Sequence, residues 1–343
     1  MSKNIIVIGS CNTDMVIKAD RLPVPGETII GGSFMMNPGG KGANQAVAAA
    51  RLKGNVHFIA KTGNDLFGKR SIEQYEDEGI HVENIYSDPT LPSGVALIMV
   101  DMNGENSIAI ASGANGSLSP EDIRKAQLTI EKGDILLMQL EIPIETVEYA
   151  AQIASEQGIK VILNPAPARA LSNKLLQNLY MIIPNETEAE ILSGVKVTDW
   201  ESARKAADII SAKGVDIVVI TLGSKGALIK EKDIFHEVPV PKVKAVDTTA
   251  AGDTFCGALC VALSEDVDVL DAVKFANKCA SITVTRMGAQ PSLPYRLQPG
   301  QQSKMLSQKK FFKPSLSFIF LPSQNTRSEE HTSELQSHLN IVC

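Results

Sequence analysis

Short apolar runs alternate with stretches of helical period along most of the chain. The runs are NIIVIGS (4–10), GVALIMV (94–100), NSIAIA (106–111), DILLMQL (134–140), KVILNP (160–165), YMIIPN (180–185) and DIVVITLG (216–223). From residue 134 onward each leads into a helical pattern, as in ETVEYAAQIASEQG, ETEAEILSG and ESARKAADIISAKG. Continuous apolar strands separated by amphipathic helices predict an α/β fold with a central, mainly parallel sheet covered on both faces, Rossmann-like in plan. Two stretches break the rhythm, at about 14–36 and 91–112. They alternate, carry Pro and Gly, and contain no good helix, so a small separate antiparallel sheet is expected there.

After about Pro294 the pattern stops. Residues 299–343 are polar apart from the apolar knot FIFL, and the run RSEEHTSELQSH resembles one reading frame of a common sequencing adapter. The expected division is therefore a domain over 1–298 and a non-native or disordered tail over 299–343. His331, His338 and Cys343 are left out of functional reasoning on that ground.

Composition narrows the class. Of 343 residues, 44% are hydrophobic and 21% charged, with a net charge of −6 that offers no basic footprint for nucleic acid. No run approaches the roughly 18 apolar residues of a membrane span, and the start MSKNIIVIGS has no signal-peptide pattern, so a cytoplasmic protein without membrane partner is expected. The five cysteines lack CxxC spacing; Cys256 and Cys260, four apart on a predicted helix, read as core residues.

Two glycine loops carry the candidate chemistry. In NPGGKGANQAVAAARL (37–52), Gly39, Gly40 and Gly42 permit close backbone approach and feed an Ala-rich helix, while Lys41 and Asn44 supply a charge and an amide. The alternative is a tight loop before a packed helix. In AVDTTAAGDTFCGALCVAL (245–263), the small residues Ala250, Ala251 and Gly252 open a helix whose amides favour an anion, and Asp253 sits in its first turn. The alternative there is an acid that merely complements the helix dipole. Polar residues also recur at strand ends: Asn12 and Asp14, Glu141, Asn185 and Glu188, and the loop TLGSKG (221–226). Ligands of parallel sheets bind outside those ends, though Asn185 also suits a helix cap. GNDLFGKR (63–70) ends in Arg70 where a P-loop needs Ser or Thr, GxGxxG is absent after the first strand, and His57, His81 and His236 look isolated. A nicotinamide dehydrogenase is thereby disfavoured, and a sugar-binding protein without catalysis remains a competitor.

The segments NPGGKGANQAVAAAR and DTTAAGDTF, with IGSCNTD, NPAPAR, PNETEAE, TLGSKG and TRMGAQPSLP in order over about residues 3–297, resemble the ribokinase-like carbohydrate kinase family. The resemblance implies an ATP-dependent kinase acting on a sugar, with D-ribose favoured by the glycine loop. It assigns Asn12, Asp14, Gly40, Lys41, Gly42, Asn44 and Glu141 to the sugar and Asp253 to the base. Ala250, Ala251 and Gly252 would form an anion hole. Asn185, Thr221, Leu222, Gly223, Ser224, Lys225, Gly226 and Asn277, together with Gly252 and Asp253, would serve ATP. Glu188 would act on Mg²⁺ through water, and Asp247, Thr249, Thr283, Arg286, Gly288 and Ser292 would hold an activating K⁺. A homodimer formed lid against lid is implied as well.

Overall fold

The computed structural model describes residues 3–296 and 341–342. It divides into two compact units, 1–293 and 294–343. Among the described residues, the second holds the short antiparallel pairing of Tyr295–Arg296 with Ile341–Val342, and the rest of the 299–343 tail lies outside them.

The larger unit is built on strands β1 (Asn4–Ile8), β2 (Asn12–Lys18), β3 (Ser33–Gly39), β4 (Asn55–Gly63), β5 (His81–Asp88), β6 (Gly94–Val100), β7 (Asn106–Ala111), β8 (Ile135–Met138), β9 (Lys160–Leu163), β10 (Met181–Ile182), β11 (Ile217–Thr221), β12 (Ala227–Glu231) and β13 (Ile234–Val238). Its helices are α1 (Lys41–Arg51), α2 (Leu66–Asp77), α3 (Pro120–Lys125), α4 (Gln127–Ile130), α5 (Ile144–Glu156), α6 (Asn173–Leu176), α7 (Glu186–Ser193), α8 (Trp200–Ser211), α9 (Ala251–Ser264) and α10 (Val269–Thr283).

Nine strands form the main sheet in the order β13-β12-β11-β10-β9-β8-β1-β4-β5. From β5 to β11 the pairing is parallel, as expected of strands such as Ile135–Met138 that are buried throughout. Leu, Ile and Ala side chains of β1, β8, β9 and β11 and of α5 and α8 share one core. The sheet closes with antiparallel β12 and β13, so the run at 216–223 leads into a hairpin rather than a helix. Charged residues alternate through that hairpin, and Lys232 takes a left-handed φ of 53° at its turn.

The chain leaves β1 for β4 and β5 on one side and returns at β8 on the other. Adjacent strands whose connections depart in opposite directions leave a crevice at their carboxyl ends, where open α/β sheets bind ligands. The four-stranded second sheet, β3-β2-β6-β7, grows from this place. It is not purely antiparallel as expected: two hairpins are joined through the parallel pair β2–β6.

His57 and His81 are not isolated either. Neighbours on β4 and β5, their rings stack with centroids 4.2 Å apart and planes 12° from parallel. With Glu83 their ligand atoms lie within 4.8 Å of one another. Near-parallel rings keep the in-plane lone pairs side by side rather than converging, and the pair reads as packing across two strands. Among the described residues, no helix is long and apolar enough to cross a membrane.

Candidate active site

Two helix starts meet above the crevice. Gly40 precedes α1 with φ 89°, and a Cβ there would stand 2.8 Å from the Asn12 nitrogen. Gly42 lies against the end of β1, where a Cβ would stand 2.6 Å from the Gly9 carbonyl carbon. Only glycine permits this approach, which brings the first turn of α1 onto the strand end. Ser10 then donates to Glu141 Oε2 (2.6 Å), and the same oxygen accepts the Lys41 N–H (3.0 Å). Asn12 is held by Asn115, whose Nδ2 donates to its Oδ1 at 2.8 Å.

Asp253 is buried in the first turn of α9, facing α1. Asn44 Nδ2 donates to its Oδ2 (2.9 Å) and Gln45 Nε2 to its Oδ1 (3.0 Å). Asn44 Oδ1 is a buried acceptor with no donor. Ala250 begins the helix in the left-handed region at φ 60°. The Ala251 N–H donates to the Thr248 carbonyl at 3.2 Å, so that amide is not open, contrary to the expectation of three free N–H groups. Those of Gly252 and Asp253, in the first turn, make no such bond. A Cβ on Gly252 would meet nothing within 4 Å, so packing does not account for glycine there.

Asp253, Gly252, Ala251 and Ala250 line a cavity of about 210 Å³ together with Lys41, Asn164, Asn185, Glu188, Thr221 and Thr248. Asn185 caps α7 and also lines this cavity, so the cap role does not take it away from the site. Its Oδ1 accepts from the Glu188 N–H (2.9 Å), and its own N–H and Nδ2 donate to the Glu188 carboxylate (2.9 and 3.0 Å). Burial raises the Glu188 carboxyl above its ordinary value, opposed by the Asn185 N–H and the charge of Lys41. Burial alone would lower the Lys41 ammonium, but Asp253, Glu141 and Glu188 together outweigh it and raise the group.

Asp14, on β2, is pushed up to about 6, first by burial and then by Glu141 and Asp253. An unfolded aspartate titrates near 3.9, so the folded state holds the extra proton between these values. Stability contributed by this group therefore falls as pH rises from about 4 through 6. Asp14→Asn is expected to raise Tm at pH 7.5 by about 3–6 °C and to leave it unchanged at pH 4. A thermal melt of the variant that gains nothing at pH 7.5 would contradict that burial cost.

A second cluster lies behind the α9 start. Asp247 accepts from the Thr249 N–H (2.9 Å) and hydroxyl (2.7 Å) and from the Gly288 N–H (2.8 Å). Burial would raise Asp247, but these donors outweigh it and hold the carboxyl below its usual range. Thr283 joins the cluster to α9 through its 2.8 Å contact with the Thr254 hydroxyl, and Thr254 in turn donates to the Ala250 carbonyl (2.9 Å). Arg286 donates to the Ser292 carbonyl at 3.4 Å.

Not every expected residue reaches the cavity. Asn277 is buried on α10 and donates to the Val238 carbonyl (3.1 Å), and Leu222 is a core residue. Gly223, Ser224 and Lys225 form an exposed turn closed by Gly226 at φ 112°, with the Lys225 ammonium on the Thr198 carbonyl. Residues not singled out in the sequence but placed at the site are Ser10, Gln45, Asn115, Gln139, Asn164 and Thr248. Gln139 and Asn164 follow β8 and β9, so the strand-end rule was the available signal for both.

Comparison with known proteins identifies the family. The profile of the pfkB family carbohydrate kinases matches residues 2–296. The chain is 47% identical over 296 residues to a ribokinase of Haemophilus influenzae, covering 86% of this chain and 97% of that one. It is 41% identical over 292 residues to a deoxyribokinase of Salmonella typhimurium, covering 85% and 95%. The structure of Arabidopsis thaliana ribokinase complexed with ribose and ATP superposes with a TM-score of 0.81 at 33% identity, over 91% of this chain and 100% of that one.

Proposed function

Because the chain belongs to the pfkB family of carbohydrate kinases, we propose that it is a ribokinase, transferring the γ-phosphoryl group of ATP to the 5-hydroxyl of D-ribose. The observation that carries this reading is the buried Asp253 carboxylate, fixed at the start of α9 next to Gly252, on a cavity that opens between two glycine loops.

Asn12, Asp14, Glu141, Lys41, Asn44 and the Gly40–Gly42 turn surround the sugar. The unpaired Asn44 Oδ1 supports this, since a buried acceptor without a donor suits a hydroxyl. Asp253 takes the proton of the attacking hydroxyl. A carboxylate is a weak base, but in a loose phosphoryl-transfer transition state the proton leaves late and positioning dominates. The amides of Gly252 and Asp253 face the transferred group, and the open space at Gly252 supports their role as an anion hole. Asn185, Glu188 and Thr221 lie on the nucleotide side of the cavity. The turn 223–226 and Asn277 would act farther out, on the nucleoside.

Two cations complete the reading. The Glu188 carboxylate faces the cavity, both its oxygens oriented by Asn185, and fits a water-mediated Mg²⁺. Mg²⁺ supplies charge neutralisation at the phosphates when bound. The ionised Asp247, with Thr249, Thr283, Arg286, Gly288 and Ser292 contributing largely through carbonyls, fits a hard monovalent cation such as K⁺. Through Thr283, Thr254 and Ala250 that loop holds the start of α9.

The kinase domain is residues 1–298, acting in the cytoplasm where its ATP is supplied. It pairs as a homodimer through the small sheet, whose Phe34, Leu97, Ile108 and Ile110 are 55–59% exposed. A monomer in sedimentation at micromolar concentration would overturn that pairing.

The test of function is ADP release with D-ribose, 2-deoxy-D-ribose, D-fructose and adenosine as acceptors, in K⁺ and in Na⁺. The expected result is highest kcat/KM with D-ribose and a several-fold gain from K⁺. Preference for 2-deoxyribose would move the chain toward the deoxyribokinases. Release without any acceptor dependence would remove the kinase reading.

A further inference from the structure

Gln45 touches the proposed base from the protein interior. It is fully buried on α1, and nothing in the sugar or nucleotide assignments above uses it. Both hydrogens of its amide are engaged: Nε2 donates to Asp253 Oδ1 and to Asn164 Oδ1, each at 3.0 Å. Its Oε1 accepts from Gln139 Nε2 at 2.6 Å.

The direction of this chain is forced at one end. Asn164 Nδ2 donates to the Ile183 carbonyl at 3.0 Å. A backbone carbonyl only accepts, so the amide nitrogen of Asn164 must face it. Asn164 Oδ1 is then turned to Gln45, which must answer with its nitrogen. Gln45 Oε1 is left for Gln139, which must present its own nitrogen in turn. The arrangement has a visible cost, for Gln139 Oε1 is buried without any partner beside Gly9. A reversed Gln139 would set oxygen against oxygen at Gln45.

We infer that Gln45 is a positioning residue for phosphoryl transfer: the amide relay Ile183–Asn164–Gln45, braced by Gln139, obliges Gln45 to donate to Asp253, which fixes the plane in which the carboxylate meets the attacking hydroxyl. This rests on the assignment of Asp253 as the base. A hydrogen bond donated to a carboxylate is charge-assisted and directional. Asp253 Oδ1 is thus held by a group that cannot rotate away. Oδ2 is held by Asn44, whose own Oδ1 is unpaired and free to exchange partners.

The experiment compares wild type, Asp253→Asn, Gln45→Met, Gln45→Glu and Gln139→Leu by D-ribose-dependent ADP release across pH, with Tm recorded for each. Gln45→Met keeps the volume and removes the donors; kcat is expected to fall about 10–100-fold with ribose KM within about threefold. Gln45→Glu sets an acid against Asp253, and the acidic limb of the kcat profile should move up by about one pH unit or more. Gln139→Leu does not touch Asp253. It exchanges one unpartnered buried oxygen for another, so Tm should change little, while kcat falls several-fold as the Gln45 amide, still presenting its nitrogen to Asp253, loses the contact that braces its plane. That arm holds even if the Gln45 variants fold poorly. Loss of Tm without a change in kcat or its pH profile marks a merely structural amide and overturns the inference. Wild-type kcat and pH profile in Gln45→Met, beside an inactive Asp253→Asn, overturns this inference alone. A wild-type chain inactive on D-ribose, or an active Asp253→Asn, overturns the base assignment and this inference with it.

Discussion

Replacing Asp253 with Asn is expected to lower kcat by about 10²-fold or more and to leave the KM for ribose and the Tm nearly unchanged. The shape of the side chain is preserved, and the question is whether its neighbours accept an amide. Asn44 and Gln45 each present a nitrogen to the carboxylate, at 2.9 and 3.0 Å. The amide that replaces the carboxylate must turn its own nitrogen toward one of them. Gln45 is fixed by Asn164 and Gln139, but Asn44 Oδ1 has no partner, so a flip of Asn44 supplies the acceptor. The fold therefore absorbs the change, and what is lost is proton acceptance. Measured by steady-state ADP release, near-wild-type turnover in this variant would take Asp253 out of the base role.

The second large effect is expected at Gly257, one turn beyond Asp253. A Cβ there would stand 2.7 Å from the Gln45 carbonyl oxygen and 2.8 Å from Ala48 Cβ. These are backbone and near-backbone atoms of α1, so a rotamer change cannot relieve the contact. Gly257→Ala is expected to destabilise by about 1–3 kcal/mol through overpacking. Its effect on catalysis should be larger than that figure suggests. Helix α1 carries Lys41, Asn44 and Gln45, α9 carries Asp253, and parting the helices displaces one set from the other. A misplacement of about 1 Å at a reacting centre can cost on the order of 10²-fold. Thermal melts and kcat are read together; a variant matching wild type in both would show that the helices have room to spare.

Much of this arrangement is legible in the chain, and the omissions have physical causes. Strands β1, β8, β9 and β11 are buried on both faces and therefore announce themselves as apolar runs. Strands β4 and β5 carry His57, Lys61 and His81 toward the edge of the sheet, which dilutes the signal. The β12–β13 hairpin alternates charges at the other edge, where solvent takes one side of the outermost strand. The parallel pairing of β2 with β6 joins residues some eighty positions apart, and no local period encodes it. At the site, Asp253 and the glycine loops stood out because small residues crowd two helix starts in one chain. Gln45 did not, since a second amide beside Asn44 at the start of an Ala-rich helix looks like a solvated position. Its burial becomes visible only once α1 lies between the sheet and α9.

The close seating of α1 on α9 has a bearing on how this scaffold changes its preferences. The proposed base, Asp253, and the Asn44 and Gln45 amides that donate to it belong to two helices seated in close contact at Gly257. Asn12 and Asp14 stand on β2, a strand of the separate small sheet. On the proposed assignments, part of the acceptor's binding set therefore lies in a different layer from the proposed base, while Lys41 and Asn44 share α1 with Gln45. If those assignments hold, substitution along β2 would alter contacts to the acceptor while Asp253, Asn44 and Gln45 stay in place, a modularity that suits a family whose members similar to this chain include both a ribokinase and a deoxyribokinase.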